Sequence, residues 1–271
     1  MIDELSSAVA GLMHAACEQL VLPRFRRLSS DEIETKSGPS DLVTVADREA
    51  ELFLTPRLLD LVDGKVIGEE ACASNPDLRA EADAPVAWTV DPVDGTGNFV
   101  AGNERFCCMV ALMEHGVPVR SWILFPLQRR IFFAVAGEGA FVVEEGAGPQ
   151  RLEIAAHDWE LDDLAGSANI GALEEARRAE VRQKLRTLPG LWFPKCAGFL
   201  GAEIAAGRQQ FLLHSRCTPW DHAPVDLLCR EAGGHSAMLD DRAAFNGRFA
   251  SPLMIAPNEA SWEALYHHVW A

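Results

Sequence analysis

The sequence predicts an antiparallel α+β half over residues 1–149 and an α/β half over residues 150–271. Two observations support this division. Four apolar runs separated by short turns fill residues 106–145, which is the pattern of an antiparallel meander. Beyond the stretch 146–149, which contains Gly and Pro, short apolar runs alternate with helical segments, as they do in α/β arrangements.

Helices open the first half. Apolar residues recur three and four positions apart over residues 5–20, which predicts an amphipathic helix that ends near Pro23. Thr44 and Asp47 have the spacing of a capping box and predict the start of a second helix. Pro56 should kink or restart that helix, because proline lacks the N–H that a helix interior uses.

The remaining elements alternate along the chain. We expect a short strand over 65–67, a polar loop over 68–85, and a strand that ends at Val90 and leads directly into Asp91. In the second half we expect strands near 164–168, 191–193, 211–213, 236–239 and 253–256, and helices near 173–188, 199–206, 222–232 and 259–269.

Composition restricts the classes of function. With 48% hydrophobic and 24% charged residues, the 271-residue chain can bury a sizeable core. No run approaches the roughly 20 apolar residues that cross a bilayer, and the acidic start differs from a secretory signal, so we expect a soluble cytoplasmic protein without a membrane partner. A formal net charge of −16 argues against nucleic acid as a partner. The charge suits divalent cations, although a solvated acidic surface would have the same charge.

The seven cysteines carry little information by themselves. They are odd in number, scattered and without a CxxC pair, which argues against a disulfide framework and against a zinc site. We expect most of them to be small core residues.

The segment WTVDPVDGTGNF, residues 88–99, is the most informative part of the sequence. A strand delivers Asp91, and Asp94 follows three positions later, so two carboxylates can share a hard cation. Gly95 and Thr96 offer backbone N–H groups at a possible helix start, which suits a phosphate. The alternative is that both aspartates are ordinary turn residues.

Two further acidic elements have the same character. Glu70 follows the strand expected at 65–67, and Asp221 precedes an apolar helical run. A surface acidic pair and an N-cap aspartate are the structural alternatives.

Taken together, these segments resemble the inositol monophosphatase family over nearly the whole chain. The matching segments, in the family's order and spacing, are DLVTVAD (41–47), IGEE (67–70), WTVDPVDGTGNF (88–99) and WDHAPVDLLCREAGG (220–234). The resemblance implies a layered αβαβα sandwich of helices and two sheets, a homodimer, and magnesium-dependent, lithium-sensitive hydrolysis of a phosphate monoester.

The resemblance also implies roles for individual residues. Two or three magnesium ions would be bound by Glu70, Asp91, Asp94, Asp221 and the backbone carbonyl of Val93. The implied catalytic residues are Asp47, Glu70 and Thr96, of which Asp47 and Thr96 orient the attacking water. No covalent intermediate is needed, because magnesium itself activates the water. The implied substrate-binding residues are Gly95, Thr96, Lys195, Ala197, His214 and Asp221.

Several positions depart from the family pattern on the substrate side. Gly97 stands where relatives have Thr or Lys, and the segment 195–200 reads KCAGFL instead of the family's small-residue motif. His214 replaces a glutamate that grips inositol hydroxyls, although it could equally be a core histidine. Lys36 matches a lysine near the family's site or is a solvated surface residue.

The expected substrate is therefore a small polyol, sugar or histidinol phosphate rather than inositol phosphate specifically. The main alternative is a catalytically idle relative that binds metal or a phosphorylated ligand as a regulatory partner. A calcium-binding structural protein is a further alternative, but no EF-hand spacing is present.

Overall fold

The structure is a computed structural model of the chain. It describes residues 3–35, 42–155, 157, 159–247, 249 and 251–271. The expectation for Lys36 lies outside the described residues.

Two long helices form the first layer. Helix α1 spans Glu4–Ala16 and continues through a π-helical turn and a 3-10 turn to Arg24, while α2 spans Val45–Leu61. The predicted capping box is confirmed, because the Thr44 hydroxyl accepts from a backbone N–H of α2 and the Asp47 carboxylate accepts from the backbone N–H of Thr44. Ahead of α2, strands β1 (Ile33–Thr35) and β2 (Leu42–Thr44) pair antiparallel.

Pro56 does not break α2, contrary to the prediction. The carbonyl that residue 56 cannot reach belongs to Leu52, which is 75% exposed and lies on the solvent side of the helix. Leu54 and Leu58 are fully buried on the other side, so packing on both sides of the proline keeps the helix continuous.

The large sheet has seven strands in chain order. Only β3 and β4 run parallel to one another, and the remaining neighbours are antiparallel, which confirms the predicted meander. The strands are β3 (Lys65–Gly68), β4 (Val86–Asp94), β5 (Cys107–Glu114), β6 (Val117–Phe125), β7 (Arg130–Val135), β8 (Gly139–Glu144) and β9 (Gln150–Leu152).

The link between β3 and β4 is helical, although a polar loop was the expectation. Helix α3 spans Glu69–Ser74 and is followed by a 3-10 stretch over Pro76–Asp83. The carboxylate of Glu51 accepts from the first N–H groups of α3, and the Asn75 side chain accepts from Asp77, so side chains supply the helix starts. A further short helix, α4, covers Thr96–Val100.

The second sheet has four strands in the order β10-β11-β13-β12. It is mixed, since β10 and β11 are parallel and the other neighbours are antiparallel. The second-half elements are β10 (Gly166–Asn169), α5 (Glu175–Leu185), α6 (Ala197–Ala205), β11 (Phe211–His214), α7 (Pro219–Glu231), β12 (His235–Met238), β13 (Leu253–Ala256) and α8 (Glu259–Leu265), which continues as a π-helical turn to Trp270.

The strand predicted at 191–193 is reduced to one bridge, between Leu191 and Gly166. Leu191 and Phe193 are 48% and 44% exposed, so no buried face holds this segment against the sheet.

Three apolar clusters define the layers and confirm the αβαβα sandwich. The first joins α1 and α2 to one face of the large sheet, the second places α6 and α7 between the two sheets, and the third joins the outer face of the small sheet to α5 and α8. The division of the chain into two halves at residue 149 stays a prediction. Strand β9, which follows this position, pairs with β8, which precedes it.

One described helical segment, Glu4–Arg24, is long and apolar enough to cross a membrane by length and composition alone, with a mean hydropathy of 1.3. This corrects the expectation that no such segment exists. Its residues Val9, Met13, Cys17 and Val21 are buried against α2 and the large sheet.

Candidate active site

A bulge at the end of β4 brings two aspartates together. Asp91 pairs with Met109 and Asp94 with Cys107, so β4 has one more residue than β5 over this interval. Residues three apart on a regular strand point to opposite faces, and the extra residue re-aims one of them. The backbone N–H of Val93 donates to Asp91 at 3.1 Å, which holds the bulge.

Asp221 completes this cluster from the far end of the sequence. It lies in the first turn of α7, after the N-cap Thr218 and Pro219, so the predicted helix start is confirmed, with Thr218 rather than Asp221 as the N-cap. One ligand oxygen from each of Asp91, Asp94 and Asp221 lies within 4.8 Å of the other two.

The cluster is charged in a way that suits a cation. Burial raises the pKa of Asp91, and the carboxylates of Glu69, Asp221 and Asp94 raise it further. Burial also raises the pKa of Asp94, against the opposing effect of hydrogen bonds to its carboxylate from Cys196, Gly198 and other donors. A bound cation would relieve the repulsion, and an all-oxygen donor set fits a hard cation such as Mg²⁺.

Glu70 lines the same cleft as Asp221, and its backbone is held by a residue that the sequence analysis missed. Both oxygens of Glu51, on α2, accept hydrogen bonds at 2.8 Å from the backbone N–H groups of Glu70 and Ala71. A Cβ on Gly68 would lie 2.3 Å from the Glu51 carboxyl carbon, so glycine is required there. The available signal was the spacing of Asp47 and Glu51, which places two acids on one face of α2.

Asp47 and Thr96 also meet, as the resemblance implied. The Thr96 hydroxyl lies 3.2 Å from Asp47 Oδ1 and 3.0 Å from the carbonyl oxygen of Val93. Asp47 Oδ2 meanwhile accepts from the backbone N–H of Thr44 at 3.0 Å. The carboxylate of Asp47 therefore caps α2 with one oxygen and contacts Thr96 with the other.

Gly95 makes the turn that leads into Thr96. Its φ of 86° lies in the left-handed region, and a Cβ would lie 2.9 Å from the carbonyl oxygen of Arg105. The loop therefore requires glycine at this position.

A polar cleft of about 900 Å³ opens next to these carboxylates. Glu70 and Asp221 line it, together with His214 from the end of β11. Three arginines also reach it, namely Arg48, Arg79 and Arg216.

Of the six residues predicted to bind substrate, His214 and Asp221 occur among the described residues that line this cleft, whereas Gly95, Thr96, Lys195 and Ala197 do not. Lys195 is exposed, and its carbonyl oxygen faces the Asn98 side chain. Ala197 is buried at the start of α6, where the next residue, Gly198, donates its N–H to Asp94 Oδ2 at 2.7 Å. This segment therefore supports Asp94 instead of lining the cleft.

His214 contacts a second histidine. Its Nδ1 lies 2.5 Å from Nε2 of His222, and Nδ1 of His222 lies 2.9 Å from the Thr218 carbonyl oxygen. Burial lowers the pKa of His214 well below its usual value and that of His222 to about 4, so both rings are neutral near pH 7. His214 is thus both buried and part of the cleft wall.

The structure thus combines a layered fold with an oxygen-ligand cluster that could hold a metal ion beside a polar cleft. The sequence profile of the inositol monophosphatase family matches residues 2–271, and the chain belongs to that family. It is accordingly a phosphoric monoester hydrolase by family.

Individual relatives agree with this assignment. The chain is 32% identical to a histidinol-phosphatase of Mycobacterium tuberculosis over 250 residues, which cover 90% of this chain and 91% of the relative. It is 29% identical to an inositol-1-monophosphatase of Bacillus subtilis over 206 residues, or 74% of each chain. The crystal structure of the extragenic suppressor protein suhB from Bartonella henselae superimposes with a TM-score of 0.79 at 22% identity, covering 99% of both chains, which shows the shared fold.

Proposed function

We propose that this protein hydrolyses a small phosphate monoester with the help of magnesium, by direct attack of water and without a covalent intermediate. The observation that carries the proposal is the set of buried Asp91 and Asp94 with partly buried Asp221, whose ligand oxygens lie within 4.8 Å of one another. Asp221 of this set lines the cleft, and the Thr96 hydroxyl, which also contacts Asp47, lies 3.0 Å from the carbonyl oxygen of Val93, next to Asp94 in the chain.

The residues that would hold two or three magnesium ions are Glu70, Asp91, Asp94, Asp221 and the Val93 carbonyl. When bound, magnesium would supply a lowered pKa for water and charge neutralisation for the phosphate and the leaving oxygen. Glu70 keeps its position because Glu51 fixes the start of α3.

Asp47 and Thr96 would act on the attacking water. The Thr96 hydroxyl has one hydrogen, and when it donates this to Asp47 its lone pairs can accept from a water on the cleft side. The negative charge of Asp47 also favours transfer of a proton toward the pair. Backbone N–H groups of Gly95 and Thr96 would contact the phosphate.

On the alcohol side, His214 and Asp221 would meet the substrate. His214 is neutral and already bonded to His222, so it offers the substrate no charged acceptor. This favours a broad range of polyol, sugar or histidinol phosphates over inositol phosphate alone. We further propose lithium sensitivity, a cytoplasmic location and a homodimer, which rest on the family resemblance.

The test is phosphate release from a panel of monoesters with and without magnesium, comparing the wild-type protein with Asp94→Asn. We expect magnesium-dependent turnover that falls at least about a hundredfold in the variant, since a ligand to the cation is lost. Asp60→Asn, an exposed aspartate on α2, is the matched control and should retain full activity. Near-normal turnover of Asp94→Asn at limiting magnesium would contradict the assignment.

The regulatory alternative, an idle relative that only binds ligand, finds no support in the site. All six polar positions that the resemblance identifies, Asp47, Glu70, Asp91, Asp94, Thr96 and Asp221, are intact.

A further inference from the structure

A second cluster of potential metal ligands adjoins the first through Asp94. It adds Cys107, on β5, and Cys196, directly before α6, and one ligand atom from each residue lies within 4.8 Å of the others. Both sulfur atoms approach the same carboxylate oxygen, because Asp94 Oδ2 lies 3.0 Å from the Cys196 sulfur and 3.5 Å from the Cys107 sulfur. The proposed phosphatase mechanism uses neither cysteine.

The spacing of these three atoms matches a tetrahedral site. Their edges are 3.0, 3.5 and 3.8 Å, the last between the two sulfur atoms. Metal–sulfur bonds of about 2.3 Å and metal–oxygen bonds of about 2.0 Å give tetrahedral edges of about 3.8 Å between sulfurs and about 3.5 Å between sulfur and oxygen. Two of the observed distances already have these lengths. The third, between the Cys196 sulfur and Asp94 Oδ2, has to lengthen by only about 0.5 Å.

Sulfur atoms surround this site, and they pack closely against the start of α6. A Cβ on Gly198 would lie 2.5 Å from the Cys107 sulfur and 2.6 Å from the Met109 sulfur, so α6 approaches these sulfurs only because residue 198 is glycine. The Gly198 N–H occupies one lone pair of Asp94 Oδ2 and leaves another for a cation. Thiolate and thioether ligands select thiophilic cations over magnesium.

We propose that Asp94, Cys107 and Cys196 form a site for a thiophilic divalent cation such as Zn²⁺, and that its occupation withdraws Asp94 from the magnesium cluster and inhibits hydrolysis. Binding releases the two thiol protons to solvent and changes no oxidation state. The inhibition rests on the proposed function, whereas the cation site does not. Cys107 and Cys196 are far apart in sequence, which is why the lack of a CxxC pair pointed away from such a site.

The chain contains its own control pair. Cys17 and Cys108 are also buried and interact with each other, within the cluster that α1 and α2 form with the other face of the large sheet. In the described part of the chain, no acidic or histidine ligand completes a set of three with them. Replacing this pair removes two buried thiols, one of them adjacent to Cys107 on β5 and the other in the turn after α1, without touching the proposed site.

The experiment titrates the full-length, magnesium-saturated, reduced protein with Cd²⁺ and follows the ultraviolet sulfur-to-cadmium charge-transfer band. We expect the wild-type band to saturate at one equivalent. Cys107→Ser/Cys196→Ser should lack the band, each single variant should show about half of its amplitude, and Cys17→Ser/Cys108→Ser should keep all of it. Cadmium bound only by carboxylates produces no such band.

Absence of the band in the wild-type protein, or its survival in Cys107→Ser/Cys196→Ser, would overturn the site. Circular dichroism identifies a variant that fails to fold, and the corresponding alanine variants then replace it. Phosphate release is measured on the same samples. A full band with unchanged hydrolysis overturns the inhibition, whereas a protein with the band but no hydrolysis under any condition contradicts the proposed function and leaves the cation site standing.

Discussion

Glu51 holds Glu70 in place through the backbone: each of its carboxylate oxygens accepts a 2.8 Å hydrogen bond at the start of α3, from the N–H of Glu70 and that of Ala71. Both side chains are buried, at 5% and 8% exposure. A charged acceptor at the first turn of a helix satisfies N–H groups that would otherwise have no partner.

Removing that acceptor should weaken magnesium binding without removing a ligand. In Glu51→Gln an NH₂ group faces one of the two N–H donors, so α3 shifts at Glu70. We expect the magnesium concentration for half-maximal activity to rise about tenfold and stability to fall by about 1–3 kcal/mol. Glu49→Gln, which breaks only the partly exposed ion pair with Arg24, should change both quantities little. Magnesium titration and thermal unfolding measure the two effects, and equal behaviour of the two variants would remove Glu51 from this role.

Gly68→Ala should act on the same contact from the other side. Its Cβ would meet the buried Glu51 carboxylate at 2.3 Å, so either the carboxylate or β3 must move, at a cost of about 1–3 kcal/mol. Gly11→Ala is the control, because nothing lies within 4 Å of a Cβ at this position in α1, and alanine there should stabilise by about 0.5–1 kcal/mol. Chemical denaturation should therefore move the two midpoints in opposite directions. A Gly68→Ala protein as stable as the wild type would show that the carboxylate is not fixed.

The contribution of Asp91 to the stability of the metal-free protein should fall as pH rises. Burial and the neighbouring carboxylates raise the pKa of Asp91 in the folded state above its unfolded value of about 3.9. Between those two values the folded protein holds a proton that the unfolded chain has released, so stability is lost as pH rises through this interval.

In Asp91→Asn this loss of stability with rising pH should be absent. In the presence of a chelator its unfolding midpoint at neutral pH should exceed that of the wild type, while magnesium should stabilise the wild type far more, by about 2.7 kcal/mol at a hundredfold excess over Kd. Thermal scans from about pH 4 to about pH 8 give the comparison, with Asp60→Asn as a control for the loss of a surface charge. A metal-free Asn variant less stable than the wild type at neutral pH would argue against repulsion in the cluster.

Thr96→Val should separate water orientation from metal binding. Valine keeps the shape of threonine but contributes no hydroxyl to Asp47, so kcat should fall about a hundredfold while the magnesium dependence stays near that of the wild type. Thr96→Ser keeps the hydroxyl and should retain most of the activity. Steady-state kinetics at saturating magnesium decide the matter, and an active valine variant would exclude the Asp47–Thr96 pair from catalysis.

The alcohol side of the cleft should respond to the charge at position 214. The wild type should prefer inositol 1-phosphate over glycerol 2-phosphate, histidinol phosphate and sugar phosphates by less than about a hundredfold in kcat/KM. His214→Glu adds a charged acceptor for hydroxyls and should raise the relative kcat/KM for inositol 1-phosphate about tenfold. Glutamine has the size of glutamate but no charge, so His214→Gln should not raise the relative kcat/KM for inositol 1-phosphate. A strong preference for inositol 1-phosphate in the wild type would show that another group replaces the missing glutamate.

The sequence predicted the parts of the site that local patterns encode. The strand predicted to end at Val90 leads into Asp91, which the structure includes in β4, and Asp221 precedes an apolar helical run, so both positions could be recognised from neighbouring residues. The role of Glu51 and the pairing of Cys107 with Cys196 could not, because each depends on contacts between segments far apart in the chain.

Two positions that the family resemblance assigned to the substrate side do not line the cleft. Lys195 and Ala197 matched the family only by place in the sequence, and the turn before α6 directs this segment toward Asp94. The composition of residues 68–85 predicted a loop. It could not predict α3, because the side chain that accepts from the first N–H groups of α3 belongs to Glu51 on another helix.

Three of the four carboxylates that would hold magnesium, Glu70, Asp91 and Asp94, lie in the first hundred residues, whereas Asp221 comes with α7 near the end of the chain. During synthesis on a ribosome, the strands of the large sheet from β3 to β9 emerge well before Asp221 does. A cation site that needs all four carboxylates therefore cannot form while only the strands of the large sheet have been synthesised. If magnesium binds as proposed, the full stability that it adds comes only after α7 has been synthesised and has packed between the two sheets.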